Sequence, residues 1–142
     1  MKLLVINGPN LNFLGIREKH IYGSKTYQEL VFYIKDLAKL YNATIQVEQS
    51  NYEGKIVDLI QTAYHNRLDG IILNPGALTH YSYAIYDAIL GSGIPTVEVH
   101  LTDITKREDF RKISVVRSAC VHSVLGLGFE SYHEAIKFFM RS

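Results

Sequence analysis

Glu98-Val99-His100 sets a carboxylate and an imidazole two residues apart, and in an extended strand such residues project on the same face. A carboxylate held there fixes the tautomer of the imidazole and raises its basicity, which makes His100 a proton donor or acceptor backed by Glu98. The same pairing is common in purely structural settings, so its meaning depends on what else reaches the same place. Arg17 and Tyr22 stand five residues apart in a stretch that shows neither helical nor strand period. If folding sets Arg17 against the Tyr22 hydroxyl, the guanidinium favours the phenolate and draws its pKa below the usual value of about 10. A phenolate can abstract a proton from carbon, whereas a tyrosine without such a neighbour, one of ten in the chain, simply packs.

Other polar residues fall just after short apolar runs. Asn7 and Asn10 follow Leu3 to Ile6, Gln49 and Asn51 follow Thr44 to Glu48, and Asn74 and His80 follow Gly70 to Leu73. Asn at a turn often only stabilises the turn. Four successive strand exits supplying amides, imidazoles and a carboxylate favour a functional edge over four unrelated turns.

The elements that must position these groups alternate between two periods. Leu3 to Ile6 and Ile71 to Leu73 are continuous apolar runs, as strands buried on both faces require. Thr44 to Gln49 alternates like a partly exposed strand and belongs toward a sheet edge, and Thr96 to Val99 is a fourth strand. Ala119 to Leu125 reads as a fifth strand. Between the strands, Leu30, Ile34, Leu37, Ala38 and Tyr41 recur at helical spacing, as do Ile56, Ile60 and Ala63. Tyr81, Ala84, Ile85, Ala88 and Ile89 form a third helical face, stopped by Gly91-Ser92-Gly93, and Ala135, Ile136 and Phe139 a last one. Capping-box spacing recurs at Thr26/Glu29, Ser50/Glu53, Thr105/Glu108 and Ser131/Glu134, and predicts a helix start at each, the third a shorter helix carrying Phe110 and Ile113. Leu11 to Lys25 is longer than the roughly two to six residues of an ordinary strand-to-helix connection, as a lid would be.

Strands alternating with helices make a parallel sheet covered on both faces the economical solution. The expectation is an α/β, flavodoxin-like three-layer sandwich with a five-stranded parallel sheet of order 2-1-3-4-5, and residues 1–142 forming one domain. Open sheets of this kind bind ligands outside the carboxyl ends of their strands, where the polar residues lie.

Composition narrows the function. At 142 residues and 47% hydrophobic, the chain can bury a full core. Fifteen Lys and Arg against fourteen Asp and Glu leave +1, without the basic excess that a nucleic-acid partner asks for. The amino terminus lacks the apolar core of a signal peptide and no run approaches the ~20 residues of a membrane span, which points to a cytoplasmic protein without a membrane partner. Cys120, the single cysteine, reads as a small buried hydrophobe. The six histidines show no metal-ligand spacing, and Gly126-x-Gly128 lacks the third glycine and following helix of a phosphate cradle, so tight packing explains it better. A phospho-receiver would need carboxylates where Asn7 and Asn74 stand. A non-catalytic interaction subunit is the remaining alternative, and it would tolerate replacement of Tyr22 or His100.

Taken together, Asn7-Gly8-Pro9-Asn10-Leu11-Asn12, Gly15-x-Arg17-Glu18 with Tyr22-Gly23, Asn51-x-Glu53-Gly54, Asn74-Pro75-Gly76-Ala77 with Thr79-His80, Glu98-Val99-His100-Leu101 and Arg107-Glu108-x-Phe110-Arg111 closely resemble type II 3-dehydroquinate dehydratase, in one register over nearly the whole chain. The resemblance implies anti elimination of water from 3-dehydroquinate through an enolate, with no metal, cofactor or covalent intermediate. It implies Tyr22 as base with Arg17 supporting its phenolate, His100 as acid oriented by Glu98, and Asn10 at the enolate oxygen. It also implies that Asn74, His80 and Arg111 bind substrate hydroxyls, that the backbone amides of Leu101 and Thr102 hold the carboxylate, and that Asp87 completes a neighbouring subunit's site. A homododecamer, a tetramer of trimers, is the implied assembly. Thr102, Asp103, Lys19, His122 and Ser131 depart from that family's usual Ser, Asn, Pro, Gly and Gly. Asp103 would weaken carboxylate binding if it faced inward, Lys19 should loosen the lid, and the last two should alter packing around the final strand.

Overall fold

The computed structural model describes residues 1–16, 20 and 24–141. Strand β1, Lys2–Asn7, is buried from Leu3 onward, and its alternating side chains supply both faces of the sheet. Leu3 and Val5 pack with Leu30 and Ile34 on one side and with Ile136 and Phe139 beside them. Leu4 and Ile6 pack with Ile56, Ile60, Ile85 and Ile89 on the other. Each such aliphatic side chain taken from water contributes about 1.5–3 kcal/mol, so a strand buried on both faces is the most strongly placed element and the natural anchor for the turn at its carboxyl end.

Helix α1, Tyr27–Leu40, begins where Thr26 Oγ1 accepts the Glu29 backbone N–H at 3.1 Å, as its capping spacing predicts. Strand β2, Thr44–Gln49, lies at the sheet edge with every residue at least partly exposed. Helix α2, Glu53–His65, follows it, then β3, Gly70–Asn74, buried throughout. Helix α3 runs Tyr83–Ser92, β4 spans Thr96–His100, β5 spans His122–Leu125 and α4 spans Glu130–Met140. Among the described residues the five strands form one parallel sheet of order β2-β1-β3-β4-β5, as expected. Helices α1 and α4 cover one face, α2 and α3 the other. The chain leaves β1 toward β2 on one side and returns to β3 on the other, so the direction of winding reverses between β1 and β3 and opens a crevice at their carboxyl ends.

Several local expectations give way to tertiary contacts. Ser50 Oγ accepts from the Tyr52 N–H and caps no helix, while the Glu53 carboxylate accepts from the Ser82 hydroxyl at 2.6 Å. Ser82, unmarked by the capping pattern, caps α3 by accepting from Ile85 N–H. Tyr81 and Ala84 are exposed, which leaves Ile85, Ala88 and Ile89 as the inner face of α3. Thr105/Glu108 starts no helix: the segment folds as 3-10 turns at Ile104–Lys106 and Asp109–Arg111, the first capped by Asp103. Ser131 lies inside α4, its hydroxyl donating to the His100 carbonyl and accepting from Leu127 N–H. The fifth strand is shorter than Ala119 to Leu125, because Arg117–Ala119 forms a 3-10 turn ahead of it. Of Gly126-x-Gly128, only Gly126, at φ 81°, has the tight packing expected, since a Cβ there would stand 3.2 Å from that of Asp103; a Cβ at Gly128 would meet nothing within 4 Å, and its φ of 60° is what favours glycine there.

Candidate active site

The crevice between β1 and β3 is built from two turns pressed together. Asn7 and Asn74 are register partners, and Gly8 N–H donates to the Asn74 carbonyl at 2.7 Å. A Cβ on Gly8 would lie 2.6 Å from the Pro75 carbonyl oxygen, so only glycine lets the two strand exits approach this closely. Behind them stands fully buried Tyr132 of α4, whose hydroxyl donates to Asn7 Oδ1 at 2.6 Å and accepts from Asn74 Nδ2 at 2.9 Å. Asn74 Oδ1 in turn accepts from Gly76 N–H. The amide of Asn74 is thus fixed in orientation at the cleft wall. Gln49 and Asn51, the candidates from β2, support the loop: Gln49 Nε2 donates to the Gly8 carbonyl, and Asn51 Oδ1 accepts from the Asn10 N–H. Asn10 itself takes the left-handed conformation, φ 70°, that Asn tolerates, and borders the cleft.

Glu98 and His100 share a face of β4, as residues two apart must. His100 Nε2 stands 2.8 Å from Glu98 Oε2. The Glu98 side chain is fully buried, and the same Oε2 accepts from Thr79 Oγ1 and Ser114 Oγ, each at 2.6 Å, while Oε1 accepts from Arg117 Nε at 2.8 Å. Burial raises the carboxyl pKa, but hydrogen bonds and charge from His100, with the Ser114 and Thr79 hydroxyls, outweigh it and hold the group at about 2 against an ordinary 4.5. An ionised carboxylate only accepts, so His100 Nε2 carries a hydrogen and Nδ1 is the ring nitrogen left for a ligand. Thr79, Ser114 and Arg117 escape sequence reasoning as partners of Glu98. Thr79 stood in a recognised motif without a role, and the other two sit in a stretch with no period.

A group whose pKa is depressed on folding stabilises the fold above its unfolded value and loses that contribution as pH falls toward the folded one. Glu98 should therefore contribute up to about 3 kcal/mol at pH 4.5 and above, lost as the pH drops toward 2. Chemical denaturation across this window should give a flatter stability profile for Glu98→Gln, which has no proton to take up. Equal slopes for the two proteins would contradict the assignment.

Asn10, Asn74, His80 and His100 border one cleft together with Leu101, Thr102 and Arg111. His80 Nδ1 lies 2.7 Å from the Ile113 carbonyl, which can only accept, so Nδ1 bears the hydrogen and Nε2 is turned free of that bond. Arg111 lays its guanidinium over the Phe110 ring at 4.8 Å, and its Nε lies 2.7 Å from Glu108 Oε2 in an ion pair. No described residue accepts from the backbone N–H groups of Leu101 or Thr102. Arg107 also lines the cleft, a second guanidinium that the motif contained but that carried no assigned role. Asp103 is turned away, accepting from the N–H and hydroxyl of Thr105, so its charge does not face the cleft. Asp87 is exposed on α3 in a separate depression with Val57, Gln61 and Tyr64. Burial and the charge of Glu98 push the half-buried Cys120 thiol up to about 12, in keeping with its reading as a packing residue. Arg17, Lys19 and Tyr22 fall outside the described residues.

No described helix is long and apolar enough to cross a membrane. Among the described residues no three of His, Cys, Asp and Glu gather as metal ligands would. The cleft can instead offer hydrogen-bond donors, two imidazole nitrogens and guanidinium charge to a polar, anionic ligand.

The family described as dehydroquinase class II matches residues 1–140. The 3-dehydroquinate dehydratase of Clostridium acetobutylicum is 55% identical over 132 residues, 93% of this chain and 91% of that one. The crystal structure of type II dehydroquinase from Butyrivibrio crossotus superposes with a TM-score of 0.97 at 51% identity, covering 99% of this chain and 97% of that one. The type II dehydroquinase of Propionibacterium acnes, at 34% identity and with the same coverage, superposes with a TM-score of 0.95. By family, sequence identity and superposition alike, the chain belongs to the class II dehydroquinase family.

Proposed function

We propose that this chain is a lyase that removes water from 3-dehydroquinate to give 3-dehydroshikimate, a step of the shikimate pathway that leads to chorismate and the aromatic amino acids. The observation that carries the reading is the buried, ionised Glu98 holding His100 Nε2 at 2.8 Å on the wall of a cleft floored by Asn74 and His80. Tyr22, as phenolate beside Arg17, takes the proton on the carbon next to the ketone, and the electron pair moves onto the ketone oxygen as an enolate. Asn10 holds the water or the charge at that oxygen. When the carbonyl reforms, the carbon–oxygen bond at the adjacent carbon breaks, and protonated His100 gives its proton to the departing hydroxyl. The stepwise course needs no metal, cofactor or Schiff base.

Binding divides among the remaining groups. Asn74 donates its outstanding amide hydrogen, His80 presents Nε2 and Arg111 its guanidinium to substrate hydroxyls, and the backbone amides of Leu101 and Thr102 take the carboxylate. Residues 1–142 act as a single catalytic domain. Asp87, exposed on α3 near exposed Tyr83 and Leu90, completes the site of a neighbouring subunit in a homododecamer, a tetramer of trimers. That apolar rim supports a subunit contact there. The near-neutral charge supports a small-molecule substrate rather than nucleic acid, and a cytoplasmic enzyme without a membrane partner accords with the same composition.

Purified protein mixed with 3-dehydroquinate should develop the absorbance of the conjugated product, and the rate should survive chelator and borohydride. Absence of turnover would overturn the lyase reading, and loss with borohydride would point to a lysine Schiff base.

A further inference from the structure

Glu98 carries a second cation that the proton chemistry at His100 does not by itself require. Oε2 is occupied by His100, Thr79 and Ser114, and Oε1 is held by Arg117 Nε at 2.8 Å. Arg117 comes from the 3-10 turn ahead of β5, a segment that contributes no wall to the cleft. Its Nη2 is buried with no hydrogen-bond partner among the described residues. A guanidinium nitrogen left unpaired is costly, so the bond to Glu98 stands out as the contact that orients this side chain.

We infer that Arg117 is a positioning residue for the acid–base pair, pinning the far oxygen of Glu98 so that the near one stays aimed at His100 Nε2, and sharing the carboxylate's charge so that His100 releases its proton to the leaving group. The inference rests on the lyase reading. Two cations on one carboxylate weaken each other's hold. Without Arg117, the whole charge of Glu98 acts on the imidazolium and retains its proton to higher pH. The other charged or titratable groups near His100 remain in place: His80 after β3, Arg107 and Arg111 on the loop beyond β4, Asp103 turned away on the same loop and the neutral Cys120 thiol after the turn. On the proposed mechanism Tyr22 and Arg17 also face the site. Comparing variants at position 117 therefore isolates one charge.

Arg117→Met keeps most of the side chain's length and removes its charge, and Arg117→Lys restores the charge without the same fork of donors. The kcat/KM for 3-dehydroquinate is followed against pH for both variants and the parent protein. The His100 ring is titrated in parallel by NMR of ring-labelled histidine without substrate, its signal identified by its loss in His100→Gln. For Arg117→Met the His100 midpoint and the alkaline limb of kcat/KM should both move up by about one pH unit, with kcat reduced several-fold and KM within about twofold, since Arg117 acts on the acid rather than on binding. Arg117→Lys should return the midpoint most of the way. If Arg117→Met does not fold, Arg117→Gln takes its place. A lowered melting temperature with the His100 midpoint unmoved would show a structural role only and overturn the inference. If the parent protein fails to turn over 3-dehydroquinate, the lyase reading falls, while the His100 midpoint still decides whether Arg117 acts on that imidazole.

Discussion

Replacing His100 with glutamine should lower kcat for dehydration by roughly 10²–10⁴-fold, the contribution of a positioned proton donor. Glutamine keeps a donor that can reach Glu98 and fills similar space, but it has no proton to give a departing hydroxyl. The fold should persist, because the Glu98 carboxylate retains the Thr79, Ser114 and Arg117 donors and is not left buried without partners. The expected signature lies in which half of the reaction survives. On the proposed mechanism, removal of the carbon-bound proton precedes the step that uses His100, so in deuterated water His100→Gln should wash deuterium into that position while forming little conjugated product. Product formation at the parental rate would remove His100 from its role as acid, and loss of exchange together with dehydration would place it in the first step instead.

Tyr22→Phe should give the opposite isotopic result with a loss of similar or larger size. The substitution removes one oxygen and leaves the ring, and on the proposed mechanism the base is then gone and the first step cannot begin. Neither exchange into substrate nor dehydration should exceed about 10⁻³ of the parental rate, and the far-ultraviolet circular dichroism should be unchanged. The pair of variants separates the two proton transfers, which a single activity measurement cannot do. A variant that still exchanges the proton would mean that another group abstracts it.

Much of this architecture is legible in the residues because the strongest terms are local and repetitive. Leu3 to Ile6 and Ile71 to Leu73 are apolar without interruption, as strands covered on both faces require, and their alternation with helical patterns points to a parallel sheet with these two strands inside it. The strand exits follow from the same logic, which is why Asn74, His80 and His100 meet in one cleft as expected. Capping spacing is weaker information. Thr26/Glu29 has no competing partner and forms its cap, whereas the Ser131 hydroxyl finds the His100 carbonyl and Leu127 N–H, and the Ser50 hydroxyl finds Tyr52 N–H. A side-chain hydrogen bond contributes only about 1 kcal/mol, so a tertiary partner readily displaces a local one. The carboxylate cluster is the least legible part. Thr79, from the turn after β3, and Ser114 and Arg117, from the stretch ahead of β5, reach Glu98 across sixteen or more residues, and no period or spacing marks side chains that converge only once the sheet has formed. Asp103 is similar: the residues alone do not say which way its charge faces, and the fold turns it onto Thr105.

The locked amide of Asn74 bears on inhibitor chemistry. With Oδ1 accepting from Gly76 N–H and one Nδ2 hydrogen committed to Tyr132, the amide has a single hydrogen left to donate to the cleft, and Tyr132 cannot relax that choice because its own hydrogen is spent on Asn7. A group that meets this hydrogen must bring an electron pair. Exchanging an ether, hydroxyl or carbonyl oxygen there for a methylene or an ammonium should forfeit the contact, and no rotation of the amide will adapt to the newcomer, which makes this wall a filter on scaffolds rather than a compliant surface.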